Sequence, residues 1–280
     1  FILPVFYFFD MCEIETSLFD RNYAEKNANW LLIKKIYEKN IDQTTHDNPI
    51  PKIIHFIWLG APMPEWYAKN IEDWKNKNPD FEVKTWGNEE VEEFLPEMKT
   101  KTLYLASPSW GNKSDILRYE ILKKYGGLYV DVDFLCLSSE FTSIHDKCSF
   151  YAGICLERSV QMNNGIMASS IDHPILDLCI ERCTLENPWN IACDQTKVLY
   201  QTGPWVLTES IINYIRSWSW TALDNILIFP SQSFHPFPAR YRDEATEELI
   251  KSYLKPWSYA CHLWHASWQP TSKYYVGDLI

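Results

Sequence analysis

Apolar and polar positions along the chain switch between two periods. Leu18, Phe19, Tyr23, Trp30, Leu31, Ile33, Ile36 and Tyr37 recur at helical spacing in a stretch free of Gly and Pro, which predicts helix from residue 10 to about 42. Asp42 to Pro51 is a polar linker with two prolines. Pro51 to Gly60, PKIIHFIWLG, is a short apolar run ending in Gly and reads as the first strand of a sheet. Pro64 to Asn78 reads as a helix with Trp66, Tyr67, Ile71 and Trp74 on one face, and Phe81 to Trp86 as a second strand. Strand, helix and strand in that order predict a right-handed βαβ unit and an α/β fold. Asn88 to Ser107 is expected as two short helices split near Pro96, followed by a turn at Trp110-Gly111-Asn112.

Residues 114 to 135, SDILRYEILKKYGGLYVDVDFL, change both period and chemistry. Ile116, Leu117, Tyr119, Ile121 and Leu122 predict a helix, with Ser114 or Asp115 as N-cap and Gly126-Gly127 as terminator. Leu128 to Leu137 is mostly a continuous apolar run, as expected of a strand buried on both faces of a mainly parallel sheet. Asp131 and Asp133 interrupt it and, two residues apart, should project from one side. Two like charges on one side of a buried strand are costly unless something cationic lies between them. A divalent metal, shared with the phosphate oxygens of a ligand, is the simplest solution. Asp115 and Arg118, three apart on one helical face, read either as a surface ion pair or as a pair aimed at a ligand.

Further on, Ser149 to Leu156 reads as a buried strand, and Asn163-Asn164-Gly165 as a turn or as part of a site. Helices are expected from His173-Pro174 to about Leu185, and from Pro204 to about Ser217. A short strand at Ile226 to Pro230, a proline-punctuated loop at Ser233 to Tyr241 and an amphipathic helix at Glu244 to Leu254 follow. Ala260 to Trp264 is apolar and leads into His265-Ala266-Ser267-Trp268.

The chain has 280 residues, 46% of them hydrophobic, enough for one large α/β domain or two small ones. A net charge of −11 argues against nucleic acid as a partner, because phosphate binding there needs a basic face. The eight cysteines include no C-x-x-C pair, which excludes a zinc ribbon and leans toward a reducing, cytoplasmic setting. No segment reads as a transmembrane helix. The sequon Asn112-Lys113-Ser114 would place a glycan at the mouth of the proposed site.

S-D-I-L-R-Y-x-I-L-x-K-Y-G-G-L-Y-V-D-V-D resembles the signature of DXD-containing sugar transferases of glycosyltransferase family 32. The resemblance covers roughly residues 51 to 268. It implies a GT-A type domain over 51–280, a Rossmann-like mainly parallel sheet flanked by helices, with residues 1–50 as an N-terminal helical appendage. It implies a metal-dependent, retaining transferase that uses a UDP- or GDP-sugar with Mn²⁺ or Mg²⁺; the acceptor, glycan or protein, stays open. Trp58, Leu59, Gly60, Tyr129 and Trp268 are then nucleotide-sugar contacts. Asp115 and Arg118 hold the sugar, Asn164 contacts a hydroxyl or positions the acceptor, and Asp131 touches ribose or donor sugar. Asp133 binds the metal, with Asp131 and His265 or Ser267 completing its ligands. Taken by their residues alone, Trp58 reads equally as core and His265 as a structural histidine. Two other functions compete. A haloacid-dehalogenase-type phosphatase also carries D-x-D, but Leu135 stands where Thr or Val is needed and a downstream acidic pair is missing. A non-catalytic carbohydrate-binding protein would use the 13 Trp and 16 Tyr for stacking, without metal or nucleotide.

Overall fold

The computed structural model describes residues 7–13, 19–42, 47–107, 109–155, 160–185, 195–217, 225–267 and 272–273. Six strands form the central sheet: β1 (Ile53–Ile57), β2 (Glu82–Trp86), β3 (Gly127–Val130), β5 (Phe150–Ile154), β6 (Met162–Ser169) and β7 (Ile226–Phe229), in the order β2-β1-β3-β6-β5-β7. β2, β1 and β3 are mutually parallel, β6 runs antiparallel between β3 and β5, and β7 is parallel to β5. A separate antiparallel pair joins β4 (Phe134–Cys136) to β8 (Ala260–His262).

Side chains alternate across the sheet as the strand period requires. Leu128, Val130, Tyr151, Ile166, Ala168, Leu227 and Phe229 enter one hydrophobic cluster, with Trp74 of α3 (Glu65–Lys77) and Phe141 of α7 (Phe141–Lys147). Tyr129, Phe150, Ala152, Met167, Ile226 and Ile228 enter the other. There they meet α6 (Trp110–Tyr125), α8 (Pro174–Leu185) and α10 (Pro204–Ser217). The βαβ unit β1–α3–β2 forms as expected, and α4 (Asn88–Phe94) and α5 (Lys101–Ala106) flank a 3-10 turn containing Pro96. α9 (Gln195–Gln201), α11 (Ser231–Phe234) and α12 (Glu247–Tyr253) complete the described helices with the two nearest the N-terminus. Those are α1 (Arg21–Ala24) and α2 (Ala28–Asn40), shorter than one helix from residue 10 to 42. Trp30, Ile33 and Ile36 of α2 join the same core, and Asn40 donates to the carbonyl of Ile226 at 2.8 Å on the edge strand.

Four local expectations change. α6 begins at Trp110, capped by Ser109, whose Oγ accepts from the amide of Asn112; the Trp-Gly-Asn segment is its first turn, and neither Ser114 nor Asp115 caps it. Asn112 is fully buried there, so the sequon is structural. Leu128 to Leu137 is not one strand: the chain leaves the sheet at Val130, and the amide of Phe134 bonds the carbonyl of Asp131 (3.1 Å) to close a turn. Asp131 and Asp133 therefore sit on a turn at the carboxyl end of β3. Asn163-Asn164-Gly165 is no turn but lies inside the buried strand β6, beside an irregularity of pairing at Ala152 and Gly153.

Gly126 and Gly127 end α6 and start β3 with φ of 61° and 99°. A Cβ on Gly127 would lie 2.6 Å from the carbonyl oxygen of Ile53, which is backbone and cannot yield cheaply. Gly127→Ala should cost at least about 2 kcal/mol, read as a lowered urea midpoint.

Candidate active site

A cleft opens at the carboxyl ends of β1 and β3, where ligands bind in open α/β sheets. Trp58 and Leu59 line it from β1, Asp115 and Arg118 from α6, Asp131 and Asp133 from the turn, and Asn163 and Asn164 from β6.

Arg118 organises the polar floor. Its side chain is 5% exposed and lies over the ring of Tyr129 at 4.4 Å. Nε donates to the carbonyl of Ser114, Nη1 to the carbonyl of Asn164 and Nη2 to Ser114 Oγ. Nη2 also faces Asp115 Oδ1 at 3.2 Å and Nη1 faces Asp131 Oδ1 at 3.3 Å. Three of its N–H groups are bonded to protein acceptors, and the two carboxylates add ion-pair contacts. The pair with Asp115 is buried, not a surface ion pair. Asp115 Oδ1 accepts from Asn164 Nδ2 (2.8 Å) and Oδ2 from Thr202 Oγ1 (2.9 Å). Burial raises the Asp115 carboxyl to about 6, against the opposing pull of Arg118, Asn164 and Thr202.

Tyr129 is not in the cleft wall. It is 1% exposed beneath Arg118, and its hydroxyl donates to Asp131 Oδ1 at 2.5 Å. Burial and the charge of Asp133 raise the Asp131 carboxyl, with Arg118 opposing. Gly165 leaves room for it: a Cβ there would lie 2.6 Å from Asp131 Oδ2. Gly60 also stands off the cleft, with its α-carbon against the ring of Trp110. Trp58 does line the cleft, its indole N–H bonded to the carbonyl of Ala61 at 2.8 Å.

Asp133 Oδ2 accepts the backbone amide of His265 at 2.7 Å, and the amide of Leu263 bonds the Asp133 carbonyl. Trp264 and Ala266 take positive φ, 60° and 48°, on either side of that amide. The ring of His265 points elsewhere, to the hydroxyl of Tyr67 at 3.1 Å. The imidazole that faces the acidic pair belongs to His262. Register β4–β8 sets Phe134 opposite His262, and their rings stack at 4.2 Å and 11°, with Trp264 on the other side at 4.0 Å. His262 Nε2 lies 3.4 Å from Asp133 Oδ1, and ligand atoms of Asp131, Asp133 and His262 all fall within 4.8 Å of one another. Burial works against ionisation of Asp133, but His262 and His265 outweigh it and hold its carboxyl at about 2. Ser267 lines the cleft, and Trp268 lies outside the described residues.

Sequence reasoning missed four cleft or supporting residues. Thr202, two residues before the start of α10 at Pro204, anchors Asp115. His262 has the signal of a second histidine three residues before His265. Trp264 and Arg242 line the cleft from segments without a readable pattern. Arg242 sits on a 3-10 turn at Ala239–Glu244, and its nearest carboxylate is its neighbour Asp243 at 3.8 Å.

Comparison with known proteins decides the class. Residues 64–150 match the glycosyltransferase sugar-binding region containing the DXD motif. The chain thus carries a glycosyltransferase region of the DXD type. A glycosyltransferase of Acanthamoeba polyphaga mimivirus is 27% identical over 233 residues, covering 80% of this chain and 86% of that protein. Inositol phosphoceramide mannosyltransferase 3 of Schizosaccharomyces pombe is 29% identical over 195 residues, covering 68% of this chain but only 52% of that enzyme. The PaToxG glycosyltransferase superposes with a TM-score of 0.50 at 21% identity, over 70% of this chain and 80% of that one. The fold is GT-A, a mixed α/β layer structure with a mostly parallel sheet. No helix among the described residues of the transferase is long and apolar enough to cross a membrane.

Asp115 keeps its ion pair with Arg118 only while its carboxyl is ionised. Transfer should fall as pH drops through about 6. Thr202→Val removes a hydrogen bond that lowers this pKa, so the acid limb of the pH–rate profile should move to higher pH.

Proposed function

We propose that this chain is a metal-dependent, retaining glycosyltransferase that takes a sugar from a UDP- or GDP-sugar. The observation that carries the reading is the convergence of Asp131, Asp133 and His262 within 4.8 Å at the end of β3, opening on a cleft walled by Trp58. Two carboxylates and one imidazole fit a borderline-hard divalent ion, Mn²⁺ or Mg²⁺. The like charges of Asp131 and Asp133 support that fit, because Arg118 balances only the first of them. When bound, such an ion would neutralise charge developing on the leaving diphosphate.

The other roles fall to residues of this chain. Asp115 has accepted three contacts, from Asn164, Thr202 and Arg118, and a carboxylate has about four lone-pair sites. The remaining site would accept a donor-sugar hydroxyl. Arg118, held by three hydrogen bonds and facing two carboxylates, would act as the post that fixes Asp115, Asp131 and Asn164. Arg242 is then the guanidinium in the cleft wall best placed to hold the diphosphate. Trp58 would pack against the nucleotide base, with Leu59 beside it. Preorganised positioning and electrostatics of this kind account for large rate factors without a covalent nucleophile. Retention is supported by the family resemblance, and the mannosyltransferases among the relatives put mannose first among the sugars to test.

Hydrolysis of donor without acceptor tests the reading. Across a panel of UDP- and GDP-sugars, one should release its nucleotide only with Mn²⁺ or Mg²⁺. Asp133→Asn should lower that rate by at least about 10²-fold. Arg242→Ala should raise the donor KM about tenfold with a smaller loss in kcat. A metal-independent rate, or full activity of Asp133→Asn, would refute the reading.

A further inference from the structure

A second cavity, of about 460 Å³, lies between α10 and the N-terminal helices. No role described above uses it. One face of α10 lines it from Trp205 through Glu209 and Asn213 to Arg216. Eleven rises of 1.5 Å between Trp205 and Arg216 make that wall roughly 16 Å long. Tyr23 of α1 and Asn29 of α2 line the opposite side, and Arg216 donates to Asn29 at 2.8 Å to close the far end.

Along the chain its near end follows directly on the catalytic cleft. Pro204, the residue before Trp205, lines that cleft, as does Leu199 of α9. The next residue, Tyr200, is 52% exposed and lies flat against the Trp205 ring at 5.4 Å and 6°. An aromatic pair therefore stands next in sequence to the cleft residues Leu199 and Pro204.

The groove's chemistry narrows the occupant. Arg182 and Glu209 are paired with each other, which leaves one guanidinium, Arg216, held by the neutral amide of Asn29; a lone cation among neutral amides and hydroxyls is a poor match for a polyanion. Its apolar members, Trp205, Ile212 and Val160, are too few for a lipid tail or an amphipathic helix. Amides, a phenol and planar charged groups alternate with an aromatic face. That set suits a neutral polyol: hydroxyls bond the amides and the Arg–Glu pair, and the C–H face of a ring packs on Trp205.

We propose that this groove is an acceptor subsite for an oligosaccharide, holding sugars remote from the reacting hydroxyl while the terminal unit enters the cleft past Pro204. This inference rests on the transferase reading for its purpose, but the binding itself does not. Binding energy gathered at a distance from the reacting atoms is the usual source of orientation for a transferred group. The N-terminal helices would then supply half of the acceptor site.

The test is a printed glycan array probed with the full chain, with and without Mn²⁺ and UDP or GDP. Wild type should retain a set of oligosaccharides and not their monosaccharides. Trp205→Ala and Asn213→Arg should each weaken retention at least tenfold; Asn213 is exposed, so its replacement blocks the groove without touching the core. A thermal melt checks that each variant is folded. Retention of no glycan by wild type, or equal retention by folded Asn213→Arg, would overturn the proposal. Donor hydrolysis by wild type, run in parallel, reports separately on the transferase reading.

Discussion

Charge balance at the end of β3 is the constraint on which the rest depends. Asp115, Asp131 and Asp133 converge there, and one buried guanidinium, Arg118, touches two of them. Removing an ion pair from water is favourable only when the remaining hydrogen-bonding groups are satisfied. The Asn164 and Ser114 carbonyls and Ser114 Oγ each accept a guanidinium N–H and go most of the way to meeting that condition. Arg118 thereby fixes α6, β6 and the D-x-D turn relative to one another. Asp133 is left to His262, the backbone of His265 and whatever cation enters.

The two-stranded β4–β8 sheet acquires its purpose from this arrangement. It carries His262 from late in the chain to a turn that ends at residue 133, and the Phe134 and Trp264 rings hold the imidazole between them. Strain at Trp264 and Ala266 is local to the segment that caps Asp133. The GT-A sheet supplies the cleft, while this small second sheet supplies the imidazole beside the acidic pair. The N-terminal helices pack into the main core through Trp30, Ile33 and Ile36, which brings their polar side to α10.

The strand–helix–strand opening was legible because its apolar positions keep a single period over each element. The D-x-D segment was misread as one strand because both sides of the turn are buried: Leu128 to Val130 in the main sheet and Phe134 to Cys136 in the small one. Hydropathy carries no mark of a turn closed by a backbone bond from Phe134 to Asp131. Asp115, Arg118 and Asn164 were found by resemblance, and they do meet; that Arg118 is buried between two carboxylates depends on side-chain geometry that spacing cannot show. His262 was passed over for His265 because strand register, not sequence, decides which of the two rings faces Asp133. Arg242 lies in a polar segment with no periodicity to distinguish it.

The central claim is that Asp131, Asp133 and His262 form the cation site. Pulsed electron paramagnetic resonance of bound Mn²⁺ reads it directly, because a ligating imidazole imprints a nitrogen coupling on the metal signal. The account predicts that coupling in wild type, its loss in His262→Ala and its survival in His265→Ala. A coupling that survives His262→Ala, or that vanishes only with His265→Ala, would contradict it.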